Sequence, residues 1–302
     1  MLLRSVAVAS AVALLGTAPC HANTFYVAGN GTGTSCSLAS PCNSIQQALN
    51  TAASGDTIVC VTSPLQGGFY ITKSVTIDCA SARASVQTSG YNLAGFGVVV
   101  VVNLATNDPQ QTVSLRGLDI DGSRSFDRGI QIQSAKAVFI EDCVVSNATS
   151  QGVYDQRTGG QTKLFVKNTV VSNNAGPGIV ATSAAPGVMV LDNVSLLNNT
   201  YGLATASGNN VTLRNSLVSG NTQAGVEADG GAQVTVENST ITNGNYGVLV
   251  GGTVRLSNSN VSFNNQAVSG TAISAGGNKF LGNAAIGNTP SLASGASGDV
   301  YN

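Results

Sequence analysis

Residues 113–261 repeat one short pattern of hydrophobic and polar positions: apolar-x-apolar-x-Asn-x-x-apolar. Seven copies superpose, at 113–120, 138–145, 164–171, 189–196, 211–218, 234–241 and 254–261. Their anchors are Gly117, Asp142, Asn168, Asn193, Asn215, Asn238 and Asn258, with a fainter copy at Asn278; successive anchors lie 25, 26, 25, 22, 23, 20 and 20 residues apart. Self-similarity at this period predicts a solenoid. The period-two alternation predicts strands, not helices. A second short strand is expected where Gly precedes an aliphatic residue, at Gly129-Ile130, Gly152-Val153, Gly178-Ile179, Gly202-Leu203, Gly225-Val226 and Gly247-Val248; Ala267-Val268 keeps the place without the glycine. Such a unit cannot bury its apolar positions alone, whereas stacked neighbours share one continuous core. A leucine-rich repeat has a similar period, but its Leu-x-x-Leu-x-Leu signature is missing.

The alternation also decides which side chains point inward. Val113, Val138, Leu164, Met189, Val211, Val234 and Val254 form one expected stack, and Leu115, Ile140, Val166, Leu191, Leu213, Val236 and Leu256 a second. Ile120, Val145, Val171, Leu196, Val218, Ile241 and Val261 form a third. The outward column before the anchor reads Arg116, Glu141, Lys167, Asp192, Arg214, Glu237, so its sign alternates at every step. Parallel strands bring such neighbours to ~4.8 Å, where opposite charges favour this register.

Ahead of the repeat, Ser44-x-x-Gln47 is a capping-box pattern. Ile45, Ala48, Leu49 and Ala52 then share a helical face, and Gly55 ends it. This helix is expected to cover the open end of the core. The N-terminal segment has a positive residue, Arg4, an apolar run from Val6 to Leu15, and a small-x-small cleavage pattern at Cys20-His21-Ala22. It reads as a secretory signal peptide over residues 1–22. Residues 23–302 are then expected to form one solenoid domain: a cap over 23–56, irregular first coils over 57–110 and regular coils over 111–290. Export permits disulfides. Cys36 and Cys42 close a short loop, and Cys60 and Cys79 each end a β-rich run, so Cys36–Cys42 and Cys60–Cys79 are the expected bridges, with Cys143 a buried free thiol.

On these repeats the chain resembles the secreted right-handed parallel β-helix proteins of the pectin-lyase-like superfamily. The segment Phe25-Tyr26-Val27-Ala28-Gly29 and the stretch from Pro41 to Leu49 resemble the segment that opens many of them, and Asn193, Asn215, Asn238 and Asn258 resemble that fold's internal asparagine ladder. The resemblance implies an all-β, right-handed parallel β-helix of about ten coils with an N-terminal capping helix. It leaves activity open, because the fold carries lyases, hydrolases, esterases and adhesins.

Composition narrows the chemistry. The only His, His21, lies in the signal segment, so the mature chain has no imidazole for a Ser-His-Asp or Cys-His site or a His-ligated zinc. A net charge of −1 without a basic stripe gives no footprint for nucleic acid, and no second apolar run is long enough to span a membrane. The charges are unevenly placed: of 13 basic and 14 acidic residues, thirteen fall within 116–167, where the repeats are longest. Longer loops beside a rigid sheet are where solenoids carry binding.

Within that stretch Asp119 and Asp121 flank inward Ile120, so both should face outward, roughly 6.5–7 Å apart. That separation suits an inverting glycosidase pair, although the resemblance brings only a fragment of the pectin-hydrolase motifs. A lyase would use carboxylates to hold Ca²⁺ against a uronate and an Arg or Lys to remove the C5 proton. Asp119, Asp121, Asp127 and Asp155 could supply oxygens, and Arg124, Arg128 or Arg157 a base or clamp; no residue is assigned as a dedicated metal ligand. Tyr154 could stack on a sugar. The expected catalytic set is therefore Asp119, Asp121, Arg124, Asp155 and Arg157, with Asp127, Arg128 and Tyr154 binding substrate. Asp155 falls in a nominally inward column with Ile132, Ala181, Thr205, Ala228 and Val250, and the strand is expected to end at Tyr154, which would release it outward. The pectate-lyase motif containing Trp is missing, since the chain has no Trp. The expected function is a secreted or periplasmic, monomeric protein that engages extracellular polysaccharide, by lyase or hydrolase chemistry or by binding. The alternative is a non-catalytic surface, structural or adhesin-like rod. No barrel-like pattern follows the repeats, so an autotransporter passenger is not expected.

Overall fold

The structure is a computed structural model that describes residues 22–87, 97–158, 160–182 and 187–302. The expected signal peptide, apart from Ala22, lies outside the described residues. Among the described residues the strands form three parallel sheets. In the order the chain visits them we name these sheet A (twelve strands), sheet B (eleven) and sheet C (ten). One strand of each makes a coil. Coil 1 starts at strand Thr57–Cys60, coil 3 at Thr112–Arg116, coil 4 at Ala137–Glu141 and coil 10 at Ile273–Gly276 of sheet A. The result is an all-β parallel solenoid of about ten coils.

The three apolar columns stack inward in the expected register: Leu115, Ile140, Val166, Leu191, Leu213, Val236 and Leu256 are direct neighbours along sheet A and all are buried. On the outer side of the same strands, Arg116 bridges Asp78 at 3.4 Å and Glu141 at 3.2 Å, and Arg214 meets Asp192 at 3.0 Å. These exposed pairs are each worth under ~1 kcal/mol. They fix the register of neighbouring coils more than they stabilise the fold.

The A-to-B corner explains the recurring anchor. Asp142, Asn168, Asn193, Asn215, Asn238 and Asn258 all have positive φ, between 46° and 54°. Asn and Asp tolerate this left-handed conformation better than other side chains. The same geometry corrects the internal-ladder expectation. A left-handed residue at this corner turns its side chain outward, so Asn193, Asn215, Asn238 and Asn258 are exposed. Their amides run along the surface, as in Asn193 Nδ2 to Asn168 Oδ1 at 2.9 Å. The fainter copy, in coil 10, places Gly277, not Asn278, at the anchor. Asn278 is buried one step later, where its Oδ1 accepts from the Ser259 N–H at 3.0 Å.

The internal ladder sits at the B-to-C turn, built from buried Asn174, Asn199, Asn221 and Asn264. Asn199 Oδ1 accepts from the Asn174 N–H at 3.1 Å, and its Nδ2 donates to the Val171 carbonyl at 3.1 Å. Each rung therefore satisfies backbone groups of the preceding coil that water cannot reach. Asn199→Ala should cost about 2 kcal/mol, because it strands a buried N–H and a buried carbonyl. A urea melt with unchanged m-value measures this, and a loss below about 0.5 kcal/mol would show that the rungs act independently of the fold's stability.

Sheet C follows directly, and glycine fills its first inward position in coils 3 to 8, with Ala267 in coil 9. A Cβ on Gly225 would lie 2.3 Å from Ile241 Cγ2 and 2.9 Å from the Gly247 carbonyl. The coils touch too closely there for any side chain.

The N-terminal helix is Ile45–Thr51, with Ser44 as N-cap accepting from the Gln47 N–H at 3.2 Å. Gln47 does not close the reciprocal half of the capping box; its Nε2 donates to the Gly33 carbonyl at 3.1 Å and ties the helix to the preceding loop. Ile45, Ala48 and Leu49 are buried at the start of the solenoid. Cys36–Cys42 and Cys60–Cys79 are disulfide-bonded. Cys143 is free and buried, and burial pushes its thiol up to about 11. Two disulfides fit an oxidising compartment such as the periplasm or extracellular space. Among the described residues no helix is long and apolar enough to cross a membrane.

Candidate functional site

The expected site residues separate onto different parts of the coil. Asp119 and Asp121 lie on the outer side of strand Leu118–Asp121 in sheet B. Burial and the neighbouring Asp121 raise the Asp119 carboxyl. Asp121 is engaged locally, where its Oδ1 accepts from the Ser123 N–H at 2.7 Å and from Asn147 Nδ2 at 3.0 Å. Arg124 sits in the following turn with positive φ, and Asp127, at the far end of that turn, accepts from the Thr149 hydroxyl at 3.1 Å.

Asp155 and Arg157 correct the sequence expectation. The strand continues through Asp155, which stays in the inward column beside Ile132 and Ala181. It is 4% exposed and Arg157 is 2% exposed. Arg157 grips the Asp155 carboxylate with two nitrogens, its Nε at 2.8 Å. Its Nη1 donates to the carbonyls of Ala135 at 3.1 Å and Lys163 at 3.2 Å. A buried charge survives only when paired and hydrogen-bonded, and the loop that returns Arg157 to the core supplies both conditions. These two residues hold three coils together at the C-to-A corner and are closed to a polysaccharide.

Arg128 and Tyr154 are brought together on the outer face of sheet C. The Arg128 guanidinium lies 4.5 Å from the Tyr154 ring centroid, and its Nε donates to Gln151 Oε1 at 2.8 Å. The outward column through Tyr154 continues as Val180, Ala204, Glu227 and Leu249. A parallel outward column carries Tyr201, Ala224, Tyr246 and Gln266. Glu227 sits between small Ala204 and apolar Leu249; burial and the Asp229 charge raise its carboxyl. Burial, Glu227 and Asp229 together raise the Tyr201 phenol, so the three groups share one electrostatic environment. Sequence reasoning alone misses Tyr201, Tyr246, Glu227 and Asp229. One signal points to the tyrosines: each directly precedes a strand-opening glycine, at Tyr201-Gly202 and at Tyr246-Gly247.

Residues 110–289 match the family described as the right-handed beta helix region, which is more than half of the chain. The chain belongs to the right-handed β-helix family. No curated protein sequence matches it. Among solved structures of this fold, pectate lyase Pel9A is 14% identical with a TM-score of 0.55, covering 93% of this chain and 77% of its own. An alginate lyase from Paenibacillus sp. str. FPU-7 is 16% identical with a TM-score of 0.56, covering 91% and 99%. Tailspike protein 2 of the Escherichia coli O157:H7 bacteriophage CAB120 is 10% identical with a TM-score of 0.58, covering 85% of this chain and 40% of the tailspike. At these identities the likeness is one of fold.

A Ca²⁺-dependent route through the expected oxygens does not fit this member of the β-helix family. Ca²⁺ takes six to eight oxygen ligands, and Asp119 with Asp121, Asp127, and Asp155 lie on sheet B, in a turn, and in the core respectively. Among the described residues no group of three or more His, Cys, Asp or Glu is placed to hold a metal.

Proposed function

We propose that this protein engages an extracellular polysaccharide by laying an acidic glycan along the outer face of sheet C. The observation that carries this reading is the Arg128 guanidinium held 4.5 Å over the Tyr154 ring with its Nε fixed on Gln151. A guanidinium anchored through Nε still presents its Nη donors, which match the geometry of a uronate carboxylate. The Tyr154 ring beside it offers an apolar body for a sugar face. From Arg128 in coil 3 to Tyr201 in coil 6 is three inter-strand steps, ~14 Å, so several sugar rings can lie along the strip.

Calorimetric binding to polygalacturonate and alginate, with dextran as the neutral comparison, tests the reading. Arg128→Ala should weaken acidic-glycan binding about tenfold, the value of one charge-assisted hydrogen bond. Asp119→Asn combined with Asp121→Asn is the comparison on the neighbouring sheet; an equal loss there would move the site to sheet B. A wild-type protein that binds neither acidic glycan refutes the proposal. A second reading is catalytic, favoured by the raised carboxyl of Glu227 beside Tyr201. Unsaturated-product absorbance and reducing-end release, each with and without Ca²⁺, separate lyase, hydrolase and non-catalytic binding.

A further inference from the structure

The B-to-C turn repeats a left-handed position in coils 4 to 10. It is filled by Asn147, Asn173, Asn198, Gly220, Asn243, Phe263 and Gly282, all with φ between 55° and 69°. Six of these residues are Asn or Gly, which the conformation favours. Phe263 is neither. A bulky side chain with φ of 55° is an outlier, and this one is also 65% exposed, the most exposed large hydrophobic among the described residues. It therefore gains little from burial while its backbone is strained. Residues that break a local rule with no compensating packing are where function is expected.

The surroundings show what the ring could serve. In the next coil Gly282 has no side chain, and a Cβ there would lie 2.6 Å from Phe263 Cε1, so the ring rests over the backbone of the neighbouring turn. Beside it is a groove of about 580 Å³ lined by Gly220, Thr222, Asn243, Asn245, Asn265 and Phe263, a size within the range of small-ligand sites. Its amides are held in place: Asn265 Nδ2 donates to Asn245 Oδ1 at 3.2 Å, and Asn243 Nδ2 to Ser219 Oγ at 3.4 Å. Amides offer both donors and acceptors, the complement of sugar hydroxyls. Among the described residues no charged side chain lines the groove, so an acidic sugar would find no counter-charge there.

From this we infer that the Phe263 groove is a second glycan site, specific for uncharged sugar units that stack on the Phe263 ring. The inference rests on the reading that the protein engages polysaccharide, but it uses residues distinct from those of sheet C. The test is calorimetric titration of the full chain with cellohexaose, xylohexaose and mannohexaose. At least one should bind, and Phe263→Asn should weaken it tenfold or more. Asn already occupies this position in coils 4, 5, 6 and 8, so the variant should fold and melt at the same or a higher temperature. Arg128→Ala should leave neutral-sugar binding unchanged, and Phe263→Asn should leave polygalacturonate and alginate binding unchanged, so failure at one site is distinguishable from failure at the other. Absence of binding to all three hexasaccharides overturns the inference. So does unchanged hexasaccharide affinity in Phe263→Asn. Concentration-dependent dimerisation of the wild type that Phe263→Asn abolishes would assign the ring to self-association instead, and overturns it as well.

Discussion

Asp155→Ala should destabilise the protein by about 3–5 kcal/mol, the cost of leaving a buried charge without its partner. Among the described residues Arg157 is the largest side chain that the fold buries fully. Without Asp155 its guanidinium keeps the Ala135 and Lys163 carbonyls but loses the anion it is paired with. Relaxation is limited, because those carbonyls belong to the coils before and after. Replacing both residues, as Asp155→Ala with Arg157→Met, should recover much of the loss, since an apolar pair of similar volume is often as stable as a buried ion pair. Recovery should be incomplete, because the Ala135 and Lys163 carbonyls then lack a donor. Urea melts of the two single variants and the double variant measure the coupling directly. A loss below about 1 kcal/mol in Asp155→Ala would mean that water or backbone movement rescues Arg157, and the pair would not be the staple described above.

That pair also shows why the fold was more legible in the sequence than the site. The strand columns repeat seven times, and each copy carries the same instruction, so an error in one is outvoted by the rest. Asp155 occurs once. The alternation set it in an inward column, but the loop signal after it argued for release outward, and nothing local announced that this loop would bring Arg157 back into the core. The asparagine ladders failed differently. Both corners use Asn: at one it takes a left-handed backbone and points out, and at the other the residue after the left-handed position points in. The spacing of Asn193 and Asn215 is the same as that of their buried counterparts Asn199 and Asn221, so spacing alone could not tell surface from interior. On sheet C the signal was faint for another reason. Tyr154, Tyr201 and Glu227 come from three coils and share one face only after stacking, while the cluster of charges in 116–167 was dispersed by the coil onto all three sheets, a turn and the core.

On the catalytic reading proposed for sheet C, Glu227→Gln should lower glycosidic turnover by about 10²–10⁴, the usual contribution of a positioned acid or base; on either reading it should make the fold more stable at neutral pH. The two effects share one cause. Burial and Asp229 raise the Glu227 carboxyl from its ordinary 4.5, so the folded state holds this proton more tightly than the unfolded chain does. For a carboxyl raised on folding, the stabilising contribution is complete below 4.5 and is lost as pH rises through the folded value. At neutral pH the wild type therefore carries a destabilising carboxylate between Ala204 and Leu249, and Gln removes the charge at almost constant shape. A raised carboxyl is also the form suited to donating a proton to a leaving oxygen, so turnover should increase as pH falls toward the folded value. Melting curves and reducing-end assays across acidic to neutral pH read both quantities in the same samples. A variant more stable at neutral pH and inactive on every glycan the wild type cleaves is the signature of a residue kept for chemistry at the expense of stability. A variant with full turnover would leave Glu227 only the electrostatic neighbour of Tyr201 and return the face of sheet C to binding alone.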